Sequence, residues 1–155
     1  MNTNRQEGFS LIELLIVVAI IGIIAAIAIP NLLASKRAAN EASATASIRT
    51  LTSSEATYAA TVGNGAYGNL LALQGQGLID NVLGGGAKSG YNFAATPSVS
   101  GTANLYVTGA APQSITAPLA TGTRQFTSDA TGVIYAATAA ATTAPTATSG
   151  SAIGN

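Results

Sequence analysis

Residues 9–29 read FSLIELLIVVAIIGIIAAIAI, an almost uninterrupted apolar run in which Glu13 is the only charged residue. At about 1.5 Å per residue, a helix of this length spans roughly 31 Å, which matches a bilayer core of about 30 Å. Its fourteen Leu, Ile, Val and Phe residues contribute about −0.3 to −0.6 kcal/mol each, which outweighs an acid that costs at most about 3 kcal/mol. The run therefore predicts a membrane-spanning helix.

The composition of the whole chain excludes most catalytic and metal chemistry. The chain has 155 residues, 48% of them hydrophobic and only 8% charged, and it contains no Cys and no His. It therefore has no disulfide, no thiolate or imidazole metal ligand and no nucleophile activated by His. The formal net charge is zero, which removes the electrostatic basis for tight nucleic-acid binding. We expect no enzyme, no cofactor and no nucleic-acid partner.

The start of the apolar run carries a specific motif. The sequence GFSLIEL at residues 8–14, continued by LLIVVAIIGIIAAIAIP, closely resembles the processing motif of type IV prepilins and pseudopilins. The resemblance implies that a prepilin peptidase removes residues 1–8 as a leader by cutting between Gly8 and Phe9. It also implies that the new amine of Phe9 is N-methylated and that the product is a structural subunit of a filament.

Glu13 has a chemical rationale beside the resemblance. Cleavage creates a cationic amine at the membrane edge, and a carboxylate about one helical turn further in neutralises it, which makes both groups tolerable in lipid. In the family, pairing of this kind between subunits helps to set axial register, and we predict that assembly role for Glu13. The alternative is that Glu13 simply reaches the membrane interface.

An ordinary secretory signal peptide is the main competing interpretation. Residues 26–28 read AIA, which fits a signal-peptidase site, and the preceding apolar stretch fits its hydrophobic region. Three features argue against it. The segment before the run has one Arg, Arg5, offset by Glu7, the apolar run is long, and it contains an acid. This interpretation would make the protein a secreted or anchored binding protein.

The helix is expected to continue beyond the membrane. Pro30 lacks an N–H and Gly22 is a poor helix former, so these two positions predict a kink or a segment that extends under load. The resemblance implies that this segment melts in the filament. Residues 31–63 are Ala-rich, with an apolar stripe at Ala44, Ile48, Leu51, Tyr58 and Val62 that approximates the helical period. Gly63 and Gly65 then act as helix breakers. We predict a transmembrane and assembly helix over residues 9–30 and an amphipathic helix over residues 31–63.

The remaining sequence predicts a small globular head over residues 64–136. A short helical or looped segment rich in Leu ends at Gly84, and strand candidates follow at residues 91–95, 104–108, 124–127 and 133–136. Residues 128–132 fit a hairpin connection. The predicted fold class is α+β, pilin-like, with an antiparallel sheet packed on the second half of the long helix. Residues 137–155 form an Ala/Thr-rich tail that we expect to be flexible or an exposed cap.

The acids of the predicted head are dispersed along the sequence. Glu41, Glu55, Asp80 and Asp129 show no close pair, so we expect solvated charges or pairs between subunits, with Arg49 and Arg124 as possible partners. Major type II secretion pseudopilins usually carry a calcium-binding loop of acids, and no acidic cluster here supports one.

The head, in LLALQGQGLIDNVLGGGAKSGYNF and GTRQFTSDATGVIY, also resembles bacterial type IV pilins more loosely. We therefore expect a pilus subunit, with a periplasmic pseudopilin as the alternative. As implied by the resemblance, its partners are other pilin copies, the prepilin peptidase and methyltransferase, and an inner-membrane assembly platform. The chain would lie in the inner membrane before assembly and in an extracellular pilus afterwards.

Overall fold

The computed structural model describes residues 9–100 and 103–154, so the predicted leader lies outside the described residues. Its first element is helix α1, Leu11–Thr61, which is continuous over 51 residues and contains Pro30. The described chain forms two units, one ending at Ser35 and the other beginning at Lys36. We call the second of these the head unit. It contains the later part of α1 and all the elements that follow.

The end of α1 confirms the predicted glycine breakers. The Tyr58 carbonyl accepts hydrogen bonds from the Val62 and Gly63 amides, at 3.1 and 2.8 Å, so the last turn is already closing. Gly65 has a φ of 88°, a left-handed conformation in which glycine carries no Cβ penalty. The helix therefore stops within two residues of the predicted end.

Two short helices follow, and each begins at a side-chain cap. In α2, Leu70–Gly75, the Asn69 side chain accepts from the Ala72 amide at 2.9 Å. In α3, Asn81–Gly84, Asp80 accepts from the Leu83 amide at 2.8 Å. These caps satisfy amide groups that a helix leaves unpaired at its start. The predicted helical segment rich in Leu is thus present as two separate helices.

One six-stranded sheet completes the head unit, and every adjacent pair in it is antiparallel. The strands lie in the sheet in the order in which they occur along the chain. They are β1 Ala87–Lys88, β2 Tyr91–Ser100, β3 Ala103–Pro112, β4 Arg124–Asp129, β5 Ile134–Thr138 and β6 Ser151–Gly154.

The four predicted strands are all found, and the two edge strands were missed. The predicted β4–β5 hairpin is confirmed, with the Gly132 amide donating to the Asp129 carbonyl at 3.0 Å. The expectation of a flexible tail was wrong for Ser151–Gly154, because this stretch pairs with β5 as β6. Backbone hydrogen bonds to β5 hold β6 at the sheet edge, although the β6 sequence has no alternating apolar pattern.

The core of the head unit lies between α1 and the sheet, as predicted. Ala44, Ile48 and Leu51 from the predicted apolar stripe are fully buried, and Tyr58 packs against the same cluster. Val62 is 50% exposed and lies beyond the helix. The core members from the other elements are Leu73, Ile79, Leu83, Tyr91, Phe93, Ala95, Ala110, Phe126 and Ile134. The α+β fold with α1 packed on an antiparallel sheet is therefore confirmed.

Candidate functional site

The first unit presents an apolar surface that nothing in the described chain covers. All fourteen Leu, Ile, Val and Phe side chains between Phe9 and Ile29 are 51% exposed or more, and Phe9 is 90% exposed. Within the described residues, α1 is the one helix long and apolar enough to cross a membrane, and its most apolar stretch is unburied. A surface of this kind needs lipid or other protein around it.

Glu13 caps the beginning of α1. Its Oε2 atom accepts a hydrogen bond from the Ser10 amide at 2.9 Å, while the Ser10 carbonyl accepts from the Leu14 amide at 3.3 Å. This is the capping-box arrangement, in which an acid at the third helical position reaches back to the capping residue. The Glu13 carboxylate is therefore held next to the residue that follows Phe9.

Only one side of the predicted processing site lies within the described residues. Gly8 lies outside them, and Phe9 is the first residue that is described. The cleavage between Gly8 and Phe9, the methylation of Phe9 and the pairing of its amine with Glu13 remain predictions. In the described residues, the Glu13 carboxylate instead accepts from the amide of Ser10, the residue after Phe9.

Helix α1 runs without interruption through Gly22 and Pro30. Among the described residues, a Cβ placed on Gly22 would meet no atom within 4 Å beyond the neighbouring backbone of its own helix. Just after Pro30, the Asn31 side chain donates to the Ile27 carbonyl at 3.0 Å, which adds a bond in the turn where proline supplies no amide donor. The kink or melting at Gly22 and Pro30 stays a prediction.

The expectation that Glu41 is solvated was wrong. Glu41 is buried in the head unit, where Oε1 accepts from the Thr123 amide and hydroxyl, both at 2.8 Å. Oε2 accepts from Arg124 Nε at 2.9 Å. Arg124 was named as a possible partner for a pair between subunits, but this ion pair lies within one chain. Burial opposes ionisation, yet the bonds from Thr123 and Arg124 hold the pKa of Glu41 below its usual value.

Glu55 was also expected to be solvated, and it is fully buried. One carboxylate oxygen accepts from the Gly68 amide at 2.9 Å, and the other has no hydrogen-bond partner among the described residues. Burial raises the pKa of Glu55 to about 7, against the opposing effect of the Gly68 bond. The sequence did not indicate that Glu55 is buried and hydrogen-bonded, because its partner is a backbone amide, which cannot be recognised from residue types.

The two aspartates of the head are each engaged by neighbours. Asp80 caps α3 and pairs with Lys88 at 3.2 Å. Asp129 accepts from both the amide and the hydroxyl of Thr131, at 2.9 and 2.6 Å. Among the described residues, no group of three or more acids is placed to hold a metal ion.

Comparison with known proteins gives a family model at the N-terminal end and several relatives that match part of the chain. Residues 3–29 match the family model of the prokaryotic N-terminal methylation motif. The chain is 58% identical over 43 residues to the type IV wide pilus major component PilA4 of Thermus thermophilus, a stretch covering 28% of this chain and 33% of that protein. No solved structure matches the chain significantly.

Two further relatives are a type IV pilin and a type II secretion protein. The type IV major pilin protein PilA of Myxococcus xanthus is 51% identical over 47 residues, which is 30% of this chain and 21% of the relative. The type II secretion system core protein G of Aeromonas hydrophila is 40% identical over 48 residues, which is 31% of this chain and 34% of the relative. The chain thus matches about a third or less of each relative's length.

Proposed function

We propose that the protein is a structural subunit of a type IV pilus, because residues 3–29 match the prokaryotic N-terminal methylation motif and the chain is similar over part of its length to a type IV pilus component and a type II secretion protein. The observation that carries the proposal is the exposed apolar part of α1 with a single capped acid at its start. The matched relatives are named as pilus or secretion components, not as enzymes.

The exposed apolar part of α1 suits two surroundings in turn. Before assembly it lies in the inner membrane, where its side chains meet lipid tails. In the filament the same side chains pack against the helices of other copies. Because lipid tails are as apolar as the neighbouring side chains, transfer between the two changes little hydrophobic free energy. An inner-membrane assembly platform then has to supply only a small hydrophobic free energy to move the helix from the membrane into the filament.

Processing prepares the charged end of the helix. Cleavage by the prepilin peptidase between Gly8 and Phe9 releases the amine of Phe9, which the same enzyme methylates. The capping bond already holds Glu13 beside Ser10, so its carboxylate is available to the Phe9 amine of the same chain or of a neighbour. An unpaired charge in lipid is costly, so pairing between copies favours one axial register.

A pilus is favoured over a secretion pseudopilus by the chemistry of the head. A calcium loop needs several carboxylate oxygens on one ion, and Asp80 and Asp129 are instead engaged with Lys88 and Thr131. The matches to core protein G keep the pseudopilin as the second candidate. A head whose unfolding temperature rises on addition of calcium would favour that candidate. Adhesion or twitching motility would be the task of the pilus.

The mature N-terminus tests the proposal directly. We expect mass spectrometry of the protein purified from its native cells to show a chain that begins with N-methylated Phe9. Electron microscopy of sheared surface material should show fibres that contain it. A chain that begins at Ile29 would instead indicate signal peptidase and a secreted binding protein. An uncut chain would indicate an ordinary membrane anchor.

A further inference from the structure

A cleft in the head unit is not used by any step of filament assembly described above. It has a volume of about 400 Å³ and opens between α1, the segment before α2 and the β4–β5 turn. This volume falls within the range of about 300 to 1,000 Å³ that is usual for small-molecule sites. The side chains that carry its chemistry are Arg49, Thr52, Ser53, Tyr67, Tyr106 and Thr131.

Two tyrosine rings form the aromatic part of the cleft wall. The ring centroids of Tyr67 and Tyr106 lie 4.5 Å apart, with the planes tilted by 57°. Tyr106 is buried, whereas Tyr67 is half-buried. The residue after Tyr67 is Gly68, whose amide donates to the buried Glu55. This bond fixes the backbone that carries the Tyr67 ring, so the aromatic surface is formed before any ligand arrives.

Arg49 supplies the charge of the cleft. Its side chain is exposed on α1, and in the part of the chain that the structure describes it forms no ion pair. The guanidinium group presents several N–H donors in a planar fork that suits a carboxylate. Because Arg49 lines the cleft next to neutral side chains, an anionic group is the natural occupant at this end.

Residues with hydroxyl side chains also line the cleft. Four threonines of α1, Thr45, Thr50, Thr57 and Thr61, donate to the carbonyl four residues earlier. The Thr52 hydroxyl differs from these, because it is buried and has no hydrogen-bond partner among the described residues. Ser53, one residue further along α1, is exposed and also lines the cleft. At the rim of the cleft, the Thr131 hydroxyl donates a hydrogen bond to Asp129 at 2.6 Å, which fixes the position of Thr131.

We propose that this cleft binds a hexuronic acid, a six-membered sugar ring that carries a carboxylate. The carboxylate binds Arg49, a ring hydroxyl bonds to Ser53, and the C–H face of the ring lies on Tyr67. A neutral apolar ligand would make no use of the Arg49 charge, whereas a carboxylate forms charge-assisted hydrogen bonds with it. Inorganic phosphate would leave the tyrosine rings unused. The proposal goes beyond filament assembly and does not depend on it.

The test is a titration of the full-length chain in detergent micelles with sodium D-glucuronate. The tyrosine rings are labelled with ¹³C and observed by NMR, and Tyr67→Phe assigns the Tyr67 signal. D-glucose provides the same ring without the charge, and acetate provides the charge without the ring. We expect saturable shifts of the Tyr67 and Tyr106 signals with glucuronate, and binding at least about tenfold weaker with either control. Unchanged signals, or equal binding of acetate, would overturn the proposal.

A matched pair of variants separates a specific site from general attraction between charges. Arg49→Gln is expected to weaken glucuronate binding at least about tenfold, because it removes the charged hydrogen bonds. Arg37→Gln removes the same charge from α1 outside the cleft and should leave binding unchanged. Equal weakening in both variants would overturn the proposal. Failure here would leave the proposed function untouched, because that rests on the mature N-terminus and on fibres.

Discussion

Arg124 Nε lies 2.9 Å from Oε2 of Glu41, and this ion pair joins α1 to the first residue of β4 across 83 positions of the chain. The two partners differ in exposure, because the Glu41 side chain is only 10% exposed and that of Arg124 is 51% exposed. Thr123 adds two further bonds to the same carboxylate. Glu41 is therefore the centre of the contact, and it fixes α1 against this end of the sheet.

Removing Glu41 should cost more stability than removing Arg124. Glu41→Ala leaves the Thr123 amide and Arg124 without their acceptor, and we expect a loss of about 3 kcal/mol in the free energy of unfolding. Arg124→Ala leaves Glu41 with both Thr123 bonds, and we expect a loss of about 1 kcal/mol. Denaturant unfolding of the two single variants and the double variant measures the difference. Equal losses for the single variants would contradict this account.

Glu55 should make the head less stable as the pH rises. Burial raises its pKa from 4.5 to about 7 in the folded state, so the folded protein holds the proton more tightly than the unfolded chain does. The resulting stability is fully present below pH 4.5 and is lost as the pH rises through about 7. Glu55→Gln keeps an acceptor for the Gly68 amide but has no proton to lose.

We therefore expect Glu55→Gln to exceed the wild type in unfolding free energy by about 1 to 3 kcal/mol at pH 8. At pH 4.5 the two proteins should be nearly equal. Unfolding midpoints recorded between pH 4.5 and pH 8 check the difference. Asp80→Asn, which changes an exposed carboxylate, serves as the control for altered net charge. A constant gap between wild type and Glu55→Gln across this range would refute the assigned titration.

The parts of the fold that sequence predicted depend on local patterns. The apolar run of α1, the breaker Gly65 and the β4–β5 hairpin each follow from neighbouring residues, and each was placed within a few positions. Strand β6 carries only one large apolar residue, Ile153, so it has no alternation to detect. It forms because β5 offers a free edge, which is a property of the assembled sheet.

The environment of the head acids was not predictable from spacing. Glu41 meets Thr123 and Arg124 only after the sheet has formed, and Glu55 meets the backbone of Gly68. An Ala-rich helix with a narrow apolar stripe gives no sign that two of its acids lie on the buried side. Glu13 was easier to single out, because a charge within an apolar run is conspicuous in the sequence itself.

Gly109 should not tolerate a side chain. A Cβ at this position in β3 would collide with the Pro145 carbonyl of the segment between β5 and β6. We expect Gly109→Ala to cost about 1 to 3 kcal/mol, because backbone has to move. Gly75→Ala is the matched control, since a Cβ there meets no atom within 4 Å. The unfolding midpoints of the two variants are compared, and an equal change in both would rule out the contact with Pro145 as the cause.

Pro30 should weaken α1 locally even though the helix continues through it. Pro30→Ala supplies the missing amide donor, and an internal proline costs a helix about 3 kcal/mol relative to alanine. We expect slower amide hydrogen exchange in the turns around residue 30 for the full-length chain in detergent. Gly22→Ala should give a smaller slowing around residue 22, because glycine costs only about 1 kcal/mol. Unchanged exchange in Pro30→Ala would remove the physical basis for a segment that melts under load.

The charge of Glu13, separate from its capping bond, should be what assembly requires. Glutamine also serves at the third position of a capping box, so Glu13→Gln keeps the bond to the Ser10 amide and the start of α1. It has no charge to pair with the Phe9 amine. We expect normal recovery of this variant in the membrane fraction but at least a tenfold loss of fibres in electron micrographs, whereas Asp80→Asn should leave both unchanged. Fibres at wild-type yield would mean that Glu13 only reaches the membrane interface, and the pairing between copies would have to be abandoned.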